Sequence, residues 1–147
     1  MTAAIPPKPT SQASVMKHLG QELDDSFALV MAARAGIAAT DAFAIAALLY
    51  LLPDELATLL HTTSRTLRTY RDAKKRLNPT ASEQMLKLLA LARRGEEVFG
   101  ETAAFRRWLN KPAYGLDNQV PLSFLQTSGG IDLVAAEIDR IAHGDLA

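Results

Sequence analysis

The chain has 147 residues, 48% of them hydrophobic, no cysteine, and sixteen Lys and Arg against sixteen Asp and Glu. That size bounds it to one or two small domains, and the lack of cysteine excludes disulfide scaffolds, Cys-based zinc sites, iron–sulfur ligation and thiol catalysis, which suits a reducing compartment. Pro6, Pro7 and Pro9 stand where a secretory signal would be apolar, and the longest oily run, residues 42–52, is about half the roughly 20 residues a membrane span needs. The expectation is a cytoplasmic protein with no membrane attachment.

Residues 1–13 are rich in Pro, Ala, Ser and Thr with little to bury, and read as a disordered tail. After them the chain reads as helix almost throughout. Val15, Leu19, Leu23, Phe27, Val30 and Met31 recur mostly at spacings of three and four, the period of one buried helical face, and Gly36 is placed to end that run. Thr40 is placed to cap the next helix, whose apolar stretch over residues 42–52 should lie in the core until Pro53 stops it. A short helix over 54–60 with Asp54 and Glu55 in its first turn is followed by another over 64–72, and Leu77-Asn78-Pro79 breaks the chain. Thr80-Ala81-Ser82-Glu83 has the form of a capping box opening a Leu-rich helix that ends at Gly100, with Gly95 in its interior costing about 1 kcal/mol relative to Ala. A short helix over 103–109 holds the single Trp, residues 110–121 are the least helical stretch, and a last amphipathic helix aligns Ile131, Val134, Ile138 and Ile141 before Gly144. No run alternates with period two, so the expected fold is all-α.

The neutral total conceals segregated charge. Residues 1–60 hold three basic and six acidic side chains. Residues 61–80 hold six basic ones (Arg65, Arg68, Arg71, Lys74, Lys75 and Arg76) against Asp72 alone, and residues 111–147 are again acidic. The basic block falls on a helix-turn-helix pattern centred on His61-Thr62-Thr63. Small Ala57 lets two helices cross closely, Leu60 and Leu67 fill the angle, and Tyr70 closes the second helix on the core. Such a second helix enters the major groove with its N-terminal side chains toward base edges, which nominates Ser64, Arg65, Thr66, Arg68 and Thr69. Arg71 is nominated for DNA contact as well, and Lys74, Lys75 and Arg76 beyond the helix are placed to meet phosphates, which fix register without reading sequence. His61 stands where such turns commonly have Gly, and is read as a turn residue without chemistry.

The three histidines are scattered, no HExxH, GxSxG or P-loop pattern occurs, and no metal-ligand spacing is present. An enzyme is therefore not expected, nor a cofactor or metal.

A helix-turn-helix followed by Leu77-Asn78-Pro79, then a Leu-rich helix ending Glu97-Val98-Phe99-Gly100, then Trp108-Leu109-Asn110-Lys111-Pro112, resembles the antitoxins of the Xre/MbcA/ParS type. Pro121-Leu122, Thr127, Gly130 and Ile141-Ala142-His143-Gly144 continue the likeness, while Tyr114 to Val120 departs from the family's usual pattern. The resemblance implies an Xre-like helix-turn-helix domain over residues 14–100 and a small helical toxin-binding domain over 101–147. It further implies operator DNA and a cognate RES-type toxin as partners, a homodimer, and a hetero-oligomer with the toxin. The residues it nominates for toxin binding are Arg140, His143, Gly144, Asp145, Leu146 and Ala147, supported by Leu125 and the Pro121 turn. Two other readings stay open on the residues alone: a dimeric helix-turn-helix regulator with no toxin, and an interaction module that has lost DNA binding.

Overall fold

The computed structural model describes residues 17–20, 23 and 25–144; the 1–13 tail, Val15, Asp145, Leu146 and Ala147 lie outside the described residues. Helices α1 (Ser26–Ala35), α2 (Ala39–Leu48), α3 (Pro53–Leu59) and α4 (Ser64–Asp72) precede a long α5 (Pro79–Phe99), followed by α6 (Thr102–Leu109), two 3-10 turns (Tyr114–Leu116 and Pro121–Phe124), and α7 (Ser128–Ala142). Among the described residues there is no strand, so the fold is all-α; only isolated bridges pair Ala38 with Arg76 and Ala113 with Gln119. Among the described residues no single helix is long and apolar enough to cross a membrane.

The axis of the molecule is α5, against which α1, α2, α6 and α7 all pack. Its sequence explains that position: Met85, Leu86, Leu88, Leu89, Leu91 and Ala92 are all buried, so apolar side chains cover most of its circumference rather than one stripe. The helix opens on Asn78, whose side chain accepts from the Ala81 amide (2.8 Å), with Pro79 in the first turn. The expected Thr80–Glu83 capping box is therefore not formed. Asn78 takes the capping position two residues earlier, and Glu83 instead accepts a hydrogen bond from the Ser128 hydroxyl (2.9 Å) at the start of α7. Gly100, with φ 91°, ends the helix in the left-handed conformation.

Three other expectations are corrected. Three of the four large apolar residues of α1 face outward: Phe27 is 71% exposed, and Val30 and Met31 are exposed too. Its inner side is Ala33 with Leu29 and Ala32, on the opposite face of the helix, because small side chains allow a closer approach to α5. Thr40 does not cap α2. The Ala39 amide is satisfied by the Lys75 carbonyl (3.0 Å), supplied by the chain leaving α4. Nor does Pro53 stop α2. That helix already ends at Leu48, after which Leu49 caps it, Tyr50 turns left-handed (φ 56°) and the Leu51 amide reaches back to the Ala46 carbonyl (2.9 Å), while Pro53 starts α3.

Buried polar groups stitch these elements together. The Ser82 hydroxyl accepts from the Ile37 amide (2.9 Å) and donates to the Leu77 carbonyl (3.2 Å). Gln84, on α5, donates through its one side-chain nitrogen to both the Leu59 carbonyl (2.7 Å) and the Leu125 carbonyl (2.9 Å). Every fully buried side-chain polar atom among the described residues has a partner.

Candidate functional site

Helices α3 and α4 and the turn between them form the helix-turn-helix that the pattern around His61 anticipates. Leu56, Ala57, Leu59 and Leu67 are buried in the angle, and Leu60 and Tyr70 pack against the same core from its edge. The turn is closed by the Thr62 amide on the Ala57 carbonyl (2.9 Å), which puts His61 at φ 59°. Thr63 then caps α4: its hydroxyl oxygen accepts from the Thr66 amide (3.1 Å). His61 is more than a turn residue, since its Nε2 donates to the Gln126 carbonyl (2.9 Å) just ahead of α7.

On α4 the side opposite Leu67 carries Arg65, Arg68 and Thr69, all exposed. Neither Arg65 nor Arg68 makes an ion pair or side-chain hydrogen bond among the described residues, so both guanidinium groups are available to a ligand. Ser64 is half-buried at the first position, and Thr66 is exposed but hydrogen-bonded to Thr63. The rest of the basic block is partly engaged within the protein. Arg71 lies over the Phe43 ring (4.7 Å to its centre) and pairs with Asp72 (3.3 Å), Lys75 lies over the Tyr70 ring (5.3 Å), and Arg76 donates to the Gly36 carbonyl. Lys74, left-handed at φ 57°, is exposed. The nine nominated residues thus separate into an open tip of Arg65, Arg68, Thr69 and Lys74, two arginines, Arg71 and Arg76, that also tie α4 and its exit to the body, and Ser64, Thr66 and Lys75, whose side-chain hydrogen bonds and ring contacts among the described residues stay within α4 and its cap.

At the other end, α6 is fixed by aromatic packing and by one arginine. Phe105 is fully buried against Phe99 (centroids 5.6 Å apart) and Trp108 (6.0 Å), which pack on each other as well (5.5 Å). Arg106 reaches out of α6 to the first half of the chain, donating to the Tyr50 carbonyl (3.0 Å) and pairing with Glu55 (3.1 Å). Burial works to raise the Glu55 pKa, but the Arg106 hydrogen bond, the Leu52 amide and the Arg106 charge outweigh it, and the net shift is downward.

Helix α7 buries Ile131, Val134 and Ile138, with Ile141 half-buried, and turns Leu133, Ala136 and Arg140 outward. The acidic third does not form an unpaired acidic face. Asp132 pairs with Lys87 (2.9 Å), Asp139 with Arg94 (2.9 Å), and buried Glu137 with Arg140 while also accepting from the Gly115 amide (3.2 Å). The acids of α7 thus serve first to dock it on α5 and on the preceding loop. Of the nominated contact residues, Arg140 is half-buried, His143 is exposed and bonded by Nδ1 to the Asp139 carbonyl (2.7 Å), and Gly144 is exposed. Pro121 and Leu125 are buried, so they can support a surface but not present one.

Sequence reasoning did not single out Gln84 or Arg106, and marked Tyr114 only as the start of the stretch that departs from the family's pattern. Gln84 carried no local signal, since Ser82, Glu83 and Lys87 around it are polar too, and Arg106 left no mark either.

Comparison with curated proteins gave no significant match. Against protein-family models, residues 28–90 match the antitoxin Xre-like helix-turn-helix domain, and residues 94–144 match the antitoxin Xre/MbcA/ParS C-terminal toxin-binding domain. With a helix-turn-helix closed around Ala57 and Leu67 in the first stretch and the α6–α7 unit in the second, the chain belongs to the Xre/MbcA/ParS antitoxins of toxin–antitoxin systems.

Proposed function

We propose that this antitoxin neutralises a RES-type toxin, one that consumes NAD or transfers ADP-ribose from it, by covering the toxin's active-site cleft, and that it represses its own operon through α4. The observation that carries this reading is the presence on one chain of a toxin-binding domain and a helix-turn-helix whose outer face keeps Arg65 and Arg68 unengaged. In this reading residues 14–100 serve the DNA and residues 101–147 serve the toxin, with α5 as the common support. The chain acts as a homodimer on a palindromic operator, its two recognition helices spaced by about one helical turn of DNA, 34–36 Å. Arg65 and Arg68 read base edges, and Lys74, Lys75 and Arg76 meet phosphates. Arg140, His143 and Gly144, with Asp145, Leu146 and Ala147 beyond them, make the contacts to the toxin cleft. The protein works in the cytoplasm, binds no cofactor, and catalyses nothing itself.

Co-expression with the protein encoded by the adjacent reading frame tests the toxin half. The expected result is that growth is restored and that the two proteins co-elute on gel filtration. Continued lethality without a complex refutes it and leaves the regulator without a toxin. A gel-shift on the operon's own upstream DNA at low salt tests the other half, and the absence of any shift favours the interaction module that has lost DNA binding.

A further inference from the structure

Phe99, Trp108, Pro112, Tyr114 and Ile141 line a groove of about 280 Å³ between α6, the loop after it, and the far end of α7, closed at one side by the Glu137–Arg140 pair. Its walls are mostly apolar, and Tyr114 stands 76% exposed at its edge. The volume lies below the roughly 300–1,000 Å³ of small-molecule sites, which suits a protruding side chain better than a metabolite. The floor is rigid. Phe99 and Trp108 are held by their stacking with Phe105, and Gly115 lets the loop lie so close to α7 that a Cβ there would sit 1.8 Å from a Glu137 carboxylate oxygen. Preorganised aromatic pockets of this kind are where interface binding energy concentrates.

We propose that this groove is the principal anchor site for the toxin, receiving one apolar side chain of it, with a toxin carboxylate beside that side chain meeting Lys111. The proposal rests on the antitoxin reading above and names the surface that reading leaves open. Three observations select the toxin as occupant. Every lining residue lies within 94–144, the stretch matched to the toxin-binding domain. The groove opens beside the C-terminal half of α7, roughly 20 Å along that helix from Gln126, where the DNA-reading unit is tied, so an occupant leaves α4 uncovered. Lys111, next to groove residue Pro112, is exposed and makes no ion pair or side-chain hydrogen bond among the described residues, which leaves a positive charge at the rim for an acidic group.

The test uses the purified full chain and the purified protein encoded by the adjacent reading frame. Affinity is measured by calorimetry, operator binding is followed in parallel, and Leu52→Ser, at an exposed apolar residue that does not line the groove, serves as control. Tyr114→Ala is expected to weaken the toxin complex at least about tenfold while leaving thermal stability and operator affinity unchanged. Lys111→Glu is expected to slow association and reverse its salt dependence. Wild-type-like toxin affinity in Tyr114→Ala, or tighter binding once residues 145–147 are removed, overturns the proposal, the latter by showing that the chain's own end fills the groove. A change in self-association of Tyr114→Ala without a change in toxin affinity overturns it in favour of a second copy of this chain. Failure of the wild-type protein to bind the adjacent protein at all overturns the antitoxin reading itself, a result distinct from the others.

Discussion

Replacing Gly95 by alanine separates two physical arguments that point in opposite directions. Helix propensity alone favours the change: an interior glycine costs about 1 kcal/mol relative to alanine, so Gly95→Ala should stabilise α5 by that amount. The packing reverses it. A Cβ on Gly95 would lie 2.2 Å from Phe105 Cδ2, with two further ring atoms within 2.5 Å. Ordinary contact begins near 3.4 Å, so the ring has to retreat by roughly 1.2 Å. It has little room to do so, being fully buried and packed against both Phe99 and Trp108, which also pack on each other. Overpacking costs about 1–3 kcal/mol, and a clash with three atoms of a rigid ring belongs at the upper end, leaving a net loss of about 2 kcal/mol after the propensity gain. For a chain of this length that is a fall in Tm of roughly 4–8 °C. Thermal unfolding followed by far-ultraviolet dichroism measures it. A variant as stable as the wild type, or more so, would refute the reasoning and show that propensity outweighs packing here.

Arg65→Ala and Arg68→Ala should each cost about 1–3 kcal/mol on the operator and relax its sequence preference, whereas Lys74→Ala should weaken all DNA alike and flatten the salt dependence; competition gel-shifts across salt concentrations distinguish the two patterns. Gln84→Leu leaves the Leu59 and Leu125 carbonyls without their shared donor, and urea titration should show a loss of about 1–3 kcal/mol for each that water cannot reach. His61→Ala keeps the left-handed strain and loses the bond to Gln126, so it should cost about 1 kcal/mol, of which His61→Gly recovers half or more by removing the strain; equal stabilities for the two variants would contradict this. Glu55 has a folded pKa below its unfolded one, so its pairing with Arg106 contributes stability that is fully present above the ordinary glutamate pKa. That stability is lost as pH falls through the depressed folded value; Glu55→Gln should remove that part of the acid dependence, as seen in unfolding midpoints measured down a pH series.

What the sequence made legible follows from how local each signal is. The helix-turn-helix was readable because its determinants (Ala57, the His61 turn, Thr63 and Leu67) fall within eleven residues and act mostly on one another. The end of α5 at Gly100 was readable for the same reason. The orientation of α1 was not, because which face of an amphipathic helix turns inward depends on how closely α5 approaches, and a stripe of Leu29, Ala32 and Ala33 carries less apolar weight than Phe27, Val30 and Met31. The caps of α2 and α5 were misplaced by two residues or fewer, since Thr40 and Thr80 are good capping types whose places were taken by a long-range partner, the Lys75 carbonyl, and by a nearer competitor, Asn78. Charge counting over residues 111–147 identified the acids correctly but could not show that Lys87, Arg94 and Arg140 neutralise three of them.

The ties between the two halves decide how their functions can be separated. Gln84 holds both the end of the first helix of the helix-turn-helix and the loop before α7; His61 joins the turn to that same loop; Arg106 clamps α6 to Tyr50 and Glu55. These bonds join residues 25 to 65 positions apart in the chain, and all of them act around one helix, α5, that crosses from one matched domain toward the other. A core substitution in α5 therefore loosens the support of α4 and of α7 together, and a variant that loses both toxin and operator binding says nothing about where either ligand sits. Only side chains that point away from α5, Arg65 and Arg68 on one side and Tyr114 and Lys111 on the other, can remove one interaction and spare the second. Loss of operator binding alone in the first pair and of toxin binding alone in the second would place the two ligands on separate faces of a single framework.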